Sequence, residues 1–414
     1  MNPELRFKDQ DGNEFPDWEE KKLKNICIFV NGKGHEQVIS QYGKYIVVNS
    51  KFVSTDGEIV KYSNEQLEPL FKDDIVMVMS DVPNGRAIAK FFYIDEDNKY
   101  SLNQRICAIR TNQNQMFIMK QLNRHKYFLA FDDGAKQTNL KKEDVLKCPV
   151  FIPDIEEQSK IAALLSDIDK KIESQAALVE KLKNTKDAMF VKMFPQGDNV
   201  NPTLRFKKED GSNYADWGKE KLNKIASPKA RIGWQGMRQS EFLDFGDYYL
   251  ITGTDFDNGS INFDTCCYVE KYRYDQDKNI QVHNGDILIT KDGTLGKVAY
   301  ISNMDKPATL NAGVFVLNNL DEKMDSLFLY HYLAAPFLME YANQQATGGT
   351  IKHLNQKVLV SFEIPIPDKE EQIKIGKCLS DLDKEIEINQ QKYEKLCDVK
   401  KALLSKLFPT KEDE

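Results

Sequence analysis

The sequence has little of what membrane, secreted or metal-binding proteins require. No apolar run approaches the ~20 residues that a membrane-spanning helix needs, and the N-terminal stretch MNPELRFKDQDGNEF is polar and acidic, unlike a signal peptide. The seven cysteines show no CxxC spacing, which argues against both a disulfide framework and a zinc site. We therefore expect a globular protein of the reducing cytoplasm, with several domains in its 414 residues.

The sequence also lacks the excess of positive charge that is typical of simple nucleic-acid binders. Lysine and arginine number 57 against 64 aspartate and glutamate residues, for a formal net charge of −7 and a pI near 5.5. Residues 24–150 differ, with 18 basic against 15 acidic side chains. The overall charge therefore neither supports nor excludes a local basic cleft.

Recognisable catalytic motifs are missing from the sequence. There is no GxGxxG pattern after a strand and no Asn/Asp-Pro-Pro-aromatic tetrapeptide of the amino-methyltransferase type, and Gly293–Lys297 is too short for a Walker A loop. The five histidines show no metal-ligand spacing. We expect a chain that is not catalytic by itself, holds no metal and binds no cofactor directly.

What the chain does contain is an internal duplication. The segment NPELRFK at Asn2–Lys8 returns 199 residues later as NPTLRFK at Asn201–Lys207. A second block, 153–195, returns 214 residues later as 367–409. The inserts between the matched blocks look unrelated. A duplicated frame that carries two divergent inserts suits a protein that holds two different readers in one geometry.

The second block has the pattern of a long helix that packs along its whole length. Apolar residues recur at alternating spacings of four and three, and prolines bound each copy. We predict helices over Ile155–Met193 and Glu370–Leu407 that pair antiparallel as a coiled coil with pseudo-two-fold symmetry and place the inserts at opposite ends. The residues predicted to pair the helices are Ile161, Leu165, Ile168, Ile172, Leu182, Ile375, Leu379, Leu382, Ile386 and Leu396.

The two inserts have the pattern of mixed α/β domains. Short β-branched runs predict strands, and longer amphipathic stretches predict helices. The predicted strands are Asp74–Met79, Ile106–Ile109, Asp286–Thr290 and Val314–Leu317, and the predicted helices are Asn123–Phe131 and Ser326–Tyr341. The predicted fold class is therefore α/β (α+β), with two mixed α/β domains separated by two long antiparallel coiled-coil helices.

Three segments in combination resemble the specificity subunit of Type I restriction–modification enzymes, the HsdS family. They are GDILITKDGTLGK at Gly285–Lys297, GGTIKHLN at Gly348–Asn355, and IPIPDKEEQIKIGKCLSDLDKEI at Ile364–Ile386. The resemblance extends over essentially the whole chain. The first insert departs from the pattern, because Lys72–Arg86 lacks GTxGK and Gly134–Leu140 stands where the second insert has GGTIKHL.

The resemblance implies two target-recognition domains, 1–152 and 197–364, that read the two halves of a bipartite, asymmetric site in double-stranded DNA. It implies that the helical spacers, 153–196 and 365–414, set the spacing and bind two modification (methyltransferase) subunits. In that family the modification subunits hold S-adenosylmethionine and methylate adenine. Two restriction (motor-nuclease) subunits use ATP and Mg²⁺.

Candidate DNA-binding residues follow from the chemistry of base recognition. Arg, Lys, Asn, Gln, Ser and Thr side chains on rigid elements read base edges, and glycine-rich loops let the backbone approach phosphates. The candidates are Arg86, Asn103, Gln104, Arg105, Lys136, Gln137, Thr138, Lys141, Thr290, Lys291, Thr294, Lys297, Asn311, Thr350, Lys352 and His353. The plain alternative for any one of them is a solvated turn residue.

A second hypothesis is a two-lobed, protein-binding coiled-coil scaffold that makes no contact with DNA. The acidic pI favours it slightly. The two hypotheses differ in the charge that they require on the insert surfaces. DNA binding requires positive, concave faces, whereas a scaffold allows neutral or acidic ones.

Overall fold

The computed structural model describes residues 2–82, 85–197, 199–318, 321–345 and 353–409. The chain divides into two compact units. The first comprises the residues up to Ala176 together with those from Gln391 onward, and the second comprises Ala177–Gln390. Each unit therefore contains one insert, the first part of one long helix and the last part of the other.

The first unit is a mixture of short strands and helices. Its strands are β1 Glu19–Lys22, β2 Cys27–Asn31, β3 Tyr45–Val48, β4 Tyr62–Ser63, β5 Ile75–Val78, β6 Ser80–Asp81, β7 Phe91–Tyr93, β8 Tyr100–Leu102, β9 Ile106–Thr111, β10 Thr138–Asn139 and β11 Pro149–Ile152. Its helices are α1 Ser50–Ser54, α2 Gln115–Leu122, α3 Lys126–Leu129, α4 Lys142–Leu146 and the start of α5 Ile155–Met193, with a 3₁₀ turn at Leu23–Asn25.

The second unit has a similar mixture. Its strands are β12 Gly218–Lys221, β13 Ser227–Lys229, β14 Tyr249–Ile251, β15 Phe256–Asp257, β16 Ser260–Ile261, β17 Cys267–Tyr268, β18 Gln281–Val282, β19 Ile287–Thr290, β20 Val298–Tyr300, β21 Ala308–Leu310, β22 Val314–Asn318 and β23 Glu363–Ile366. Its helices are α6 Leu222–Ile225, α7 Lys271–Asp275, α8 Ser326–Ala334, α9 Phe337–Gln344, α10 Gln356–Ser361 and the start of α11 Lys369–Leu407, with 3₁₀ turns at Gly233–Gln235, Gln239–Glu241, Phe263–Thr265 and Lys278–Ile280.

The same sheets recur in both units, although the inserts look unrelated in sequence. A four-stranded antiparallel sheet has the order β2-β9-β5-β7 in the first unit and β13-β22-β19-β20 in the second. A smaller sheet has the order β4-β3-β8 in the first unit and β17-β14-β21-β18 in the second. A two-stranded ribbon, β1-β11 or β12-β23, leads into each long helix. The predicted mixed α/β class is confirmed.

The central strand of the larger sheet is buried on both faces, which explains its uninterrupted apolar sequence. In β5, Ile75 and Met77 pack in one core with Phe117 of α2, whereas Val76 and Val78 pack in a second core with Leu102. In the second unit, β19 divides in the same way, with Ile287 and Ile289 on one side and Leu288 on the other. Each insert thus has two cores that share one sheet.

Two predicted helices differ from those observed. The helix expected over Ser326–Tyr341 is broken into α8 and α9 before Pro336, because a proline disfavours the helical conformation in the residue that precedes it. Ala335 accordingly has an extended backbone, with φ −70° and ψ 164°. The helix expected over Asn123–Phe131 is shorter, since Arg124 lies in the left-handed region at φ +57°.

The two long helices run antiparallel within each unit, as predicted. In the first unit, Ile161 and Leu165 of α5 share a core with Leu407 and Phe408 of α11 and its flank, and farther along α5 Asp169 binds Lys400. Residue numbers therefore rise along one helix as they fall along the other. The second unit repeats the arrangement, with Met193 beside Ile375 and Leu379, and Lys186 bound to Asp383. The placement of the inserts at opposite ends of the pair stays a prediction.

The helix-pairing residues differ in burial. The buried ones are Ile161, Leu165, Ile168, Ile375 and Leu379, and the half-buried ones are Ile172, Leu182, Leu382, Ile386 and Leu396. The buried residues thus belong to the parts of α5 and α11 that begin beside an insert. Among the residues that the structure describes, no helix is both long enough and apolar enough to cross a membrane.

A buried ion pair fixes the repeated N-terminal segment to the start of the long helix. Arg6 donates to Glu157 at 3.1 and 2.7 Å, and the indole N–H of Trp18 donates to the same carboxylate at 3.1 Å. Glu157 is wholly buried. The second unit repeats this cluster at Arg205, Glu371 and Trp217. The repeated sequence thus encodes a repeated attachment.

Candidate nucleic-acid interface

In the first unit, the ends of three strands meet at one backbone junction. The amide of Met79, which follows β5, donates to the carbonyl of Arg105 at 2.9 Å, and the carbonyl of Met79 accepts from the amide of Leu140 at 2.8 Å. The turn between β8 and β9 and the strand β10 are thereby held on either side of one residue. Two groups of candidates lie beside this junction, Asn103, Gln104 and Arg105 on one side and Lys136, Gln137 and Thr138 on the other.

Backbone hydrogen bonds and a close approach to Gly32 hold the turn between β8 and β9. The amide of Ile106 donates to the carbonyl of Asn103 at 3.3 Å, and the amide of Asn103 donates to the carbonyl of Val48 at 3.1 Å. A Cβ on Gly32 would lie 1.9 Å from the carbonyl oxygen of Asn103, so only glycine fits there. Arg105 adopts φ +69°, in the left-handed region.

This turn forms one wall of an open cavity of about 440 Å³. The cavity is lined by Asn49, Ser50, Lys51, Lys61, Asn103, Gln104 and Arg105. Lys51, Lys61 and Arg105 are exposed, and among the residues described here none of the three has an ion-pair partner. No carboxylate lines the cavity. The lining of the cavity therefore carries the positive charge that an anionic ligand such as a phosphate requires.

The other group of candidates in the first unit lies near the β6-β10 pair. Gln137 donates to the hydroxyl of Ser80 at 2.7 Å, and Asp133 accepts from the backbone amides of Ala135 and Lys136 at 2.9 and 3.1 Å. These backbone hydrogen bonds hold the pKa of Asp133 below its usual range. Arg86, Lys136 and Lys141 are exposed. The carbonyl of Lys141 accepts hydrogen bonds from the amides of Asp144 and Val145 at the start of α4.

The second unit has the same junction with different side chains. The amide of Lys291 donates to the carbonyl of Gly313 at 2.9 Å, and its carbonyl accepts from the amide of Leu354 at 3.0 Å. The amide of Asn311 donates to the carbonyl of Ile251 at 2.9 Å. Asn311 therefore corresponds to Asn103, and Gly313 corresponds to Arg105.

We call the residues around these two junctions the recognition edges. They are 49–51, 61, 79–80, 103–105 and 136–141 in the first unit and 252–254, 291–297, 311–313 and 353–354 in the second.

The loop 291–297 projects from the second recognition edge. Thr290 is fully buried, and its hydroxyl donates to the carbonyl of Thr294 and accepts from the amide of Lys297 at 2.9 Å. Thr294 and Lys297 are exposed. A Cβ on Gly296, at φ +74°, would lie 2.2 Å from the sulfur of Met339, so this close approach also requires glycine.

The remaining candidates of the second unit are partly described. The ring Nδ1 of His353 lies 2.6 Å from the carboxylate of Asp292, and both side chains are substantially exposed. Lys291 places its ammonium group 5.5 Å from the ring centre of Phe315. Thr350 and Lys352 lie outside the described residues.

Two candidates have side chains that are buried in the fold. Thr138 is 5% exposed and donates to Asp132 at 3.0 Å, and Thr290 closes the loop that follows it. Both side chains shape the recognition edge from within. Conversely, Asn49, Lys51 and Lys61 line the cavity but were not predicted from the sequence. The Asn49-Ser50 pair has the pattern of a helix cap, and Asn49 does cap α1, but nothing in the local sequence indicates a cavity.

A family model described as the Type I restriction modification DNA specificity domain matches residues 16–184 and 216–397. The chain is 24% identical to the Type I restriction enzyme MjaVIII specificity subunit of Methanocaldococcus jannaschii, over 99% of this chain and 96% of that protein. It is 27% identical to the putative Type I restriction enzyme MjaX specificity subunit of the same organism, over 99% of this chain and 97% of that protein. Its fold is similar to the crystal structure of the S subunit of a Type I restriction–modification system from M. genitalium, with a TM-score of 0.66, 18% identity and full coverage of both chains.

Proposed function

The chain belongs to the family of Type I restriction–modification DNA specificity subunits, and we propose that each of its two units reads one half of a bipartite, asymmetric site in double-stranded DNA. As a specificity subunit it is a non-catalytic component of a larger complex. Its contribution to the reaction is to select the DNA sequence at which the other subunits act. The four-part division into recognition domains 1–152 and 197–364 and spacers 153–196 and 365–414 forms part of the proposal.

The observation that carries the proposal is the recurrence of one backbone arrangement with different side chains. Both recognition edges are built on the same hydrogen bonds, through Met79 in the first unit and Lys291 in the second. At the two corresponding turn positions the first unit has Arg105 and the second has Gly313. A shared scaffold with divergent side chains is the arrangement expected of two readers of different base sequences.

The candidate residues divide by role. We assign base contacts to Asn103, Gln104, Arg105, Gln137, Asn311 and His353, and phosphate contacts to Arg86, Lys136, Lys141, Lys291, Thr294, Lys297, Thr350 and Lys352. Thr138 and Thr290 position the recognition edges because their side chains are buried. Loss of a phosphate contact weakens binding to all sequences, whereas loss of a base contact relaxes specificity at one position.

The partners in the proposal are double-stranded DNA, two modification subunits and two restriction subunits, in the cytoplasm. S-adenosylmethionine is assigned to the modification subunits, and ATP and Mg²⁺ to the restriction subunits. The long helices offer surface for the modification subunits. On α11, Ile373 and Ile388 are 47% and 51% exposed, and on α5, Val191 is 58% exposed. Single exposed aliphatic side chains are also normal on protein surfaces, so the assignment of these partners rests on membership of the family.

The charge on the recognition edges favours DNA over the protein-binding scaffold. Three cations surround the cavity of the first unit without a carboxylate in its lining, although the whole chain is acidic. The second edge presents Lys291 and the exposed Lys297. Positive side chains at both recognition edges of an acidic chain suit DNA binding, whereas a scaffold has no need of them.

The test is to express the chain with its modification partner and to sequence the methylated genome. We expect one bipartite motif. Replacement of residues 25–150 with the corresponding insert of a relative should change one half of the motif, and replacement of 224–363 should change the other. A complex that assembles and methylates DNA without any sequence motif would contradict the proposal, as would a single exchange that alters both halves.

A further inference from the structure

The guanidinium of Arg105 is the feature of the first recognition edge that the fold does not use. Arg105 lies at φ +69°, where an L-residue is strained and glycine is not. Among the described residues, its side chain has no hydrogen-bond or ion-pair partner, and the backbone alone holds the turn. Glycine would satisfy the local conformation better. The arginine at this position therefore strains the turn, and its side chain contributes no hydrogen bond or ion pair to the described part of the fold.

The surroundings of Arg105 are suited to a base edge flanked by phosphates. Arg105 lines a cavity of about 440 Å³ whose other two cationic residues are Lys51 and Lys61. Gln104 donates to the carboxylate of Glu36, which leaves its amide oxygen as an acceptor. A planar guanidinium on a hydrogen-bonded turn matches a planar pair of acceptors, whereas the ammonium groups of lysines match phosphates as point charges.

We propose that Arg105 reads a guanine in the half-site bound by the first unit, by donating to O6 and N7 in the major groove, while Lys51 and Lys61 contact the flanking phosphates. Guanine is the base that presents two adjacent acceptors in the major groove, and arginine is its usual bidentate partner. This inference rests on the proposed function and names one base and one residue within it. The second unit has Ala312 and Gly313 at the corresponding positions, so its half-site is read without such a contact.

Arg105→Gly separates function from folding. Because glycine relieves the backbone strain, the variant should melt at the same temperature as the wild-type protein or higher. The methylated motif should lose one G·C preference in one half and keep the other half intact. Discrimination at that position should fall by about tenfold or more.

Arg124→Gly is a matched control. Arg124 is also an arginine in the left-handed region, at φ +57°, but its guanidinium donates to the carbonyl of Ile88 at 3.0 Å. This variant should leave the motif unchanged. Lys51→Ala and Lys61→Ala should weaken binding to all sequences and lower the salt dependence of binding, because phosphate contacts carry no sequence information.

A duplex in which the contacted guanine is replaced by 7-deazaguanine tests the contact directly. Removal of N7 should weaken binding of the wild-type complex by about fivefold to tenfold and leave the Arg105→Gly complex unaffected. A wild-type motif without G·C in either half would overturn the inference. So would an Arg105→Gly motif identical to that of the wild type, or a lower melting temperature for Arg105→Gly.

The failures of the two proposals are distinguishable. If the wild-type complex methylates a defined bipartite motif but Arg105→Gly has only a smaller salt dependence, Arg105 contacts a phosphate and the guanine assignment is wrong while the proposed function stands. If the wild-type complex methylates DNA without any motif, the proposed function itself fails.

Discussion

Asp169 joins three elements of the first unit, and its replacement should loosen the recognition domain from the helix pair. Its carboxylate on α5 binds Lys120 of α2 and, at 2.6 Å, Lys400 of α11. The Lys120, Asp169 and Lys400 side chains are 14%, 19% and 34% exposed. We expect Asp169→Asn to lower the free energy of unfolding by about 2–3 kcal/mol. Most of this comes from the Lys120 pair, because charged hydrogen bonds contribute about 1.5–3 kcal/mol and exposed pairs less than about 1 kcal/mol.

Calorimetric melting of the full chain measures this effect. A loss of 2–3 kcal/mol corresponds to a fall of roughly 5–10 °C in the melting temperature of a unit of this size. Asp167→Asn is the control, since Asp167 is exposed on the same helix. In the second unit, Asp383→Asn should cost about half as much. There the ion-pair partner of Asp383 is Lys186. His331 also lies near Asp383, but burial, with Lys186 nearby, lowers the pKa of His331 to about 3. This histidine is therefore neutral and adds no second ion pair.

The effect of Asp169→Asn should depend on pH in a defined direction. Burial raises the pKa of Asp169, but the hydrogen bonds from Lys120 and Lys400 outweigh it and the pKa is lowered overall. A carboxylate whose pKa is depressed in the folded state stabilises the fold at pH values above its pKa in the unfolded chain, which is about 4. This stabilisation is lost as the pH falls through the pKa of the folded state. The difference from the wild type should therefore be constant from about pH 5 to 8 and shrink below about pH 4. A difference that grows on acidification, or a variant that melts within about 1 °C of the wild type at pH 7, would refute the reasoning.

Two further predictions concern the recognition edge and the spacing. Gly32→Ala places a Cβ 1.9 Å from the carbonyl oxygen of Asn103, so it should destabilise the first unit by about 2 kcal/mol or more and impair one half of the motif. Gly233→Ala, whose Cβ meets nothing within 4 Å, should do neither, as melting curves and methylome sequencing can establish. Insertion of four residues after Gln175 adds about one turn, ~6 Å, to α5 and should lengthen the gap between the half-sites by one or two base pairs. Undiminished methylation at the original spacing would show that the gap is set elsewhere.

The long helices could be predicted because their information is local and repeated, and their antiparallel direction because each helix follows its own insert. The heptad spacing from Ile161 onward fixes the buried face, and the prolines at 153 and 195 bound the helix. The core strands β5 and β19 could be predicted for a similar reason, since a strand buried on both faces is a continuous apolar run. The break before Pro336 could also have been read from the sequence, because a proline disfavours helix in the residue before it.

The cavity of the first unit could not be predicted from the sequence. It brings together Asn49–Lys51, Lys61 and Asn103–Arg105, which are separated along the chain and meet through the pairing of β3 with β4 and β8. Those pairings depend on tertiary packing, and each segment alone has the pattern of an ordinary turn. The correspondence between Arg105 and Gly313 was hidden in the same way, because the inserts differ in length and the shared hydrogen bonds are made by the backbone.

The buried attachment clusters and the recognition edges are subject to different physical requirements. Glu157 and Glu371 are buried, so removal of a partner would leave a buried carboxylate without a compensating charge. The same side chains are therefore needed in both copies. The junctions of the recognition edges are held by backbone hydrogen bonds, which do not involve the side chain of Arg105. The residue at this turn can therefore change from Arg105 in one unit to Gly313 in the other while the hydrogen bonds through Met79 and Lys291 are kept. Under the proposed function, substitution at the edge would give such a chain a new half-site, while the buried attachment to the long helices stays unchanged.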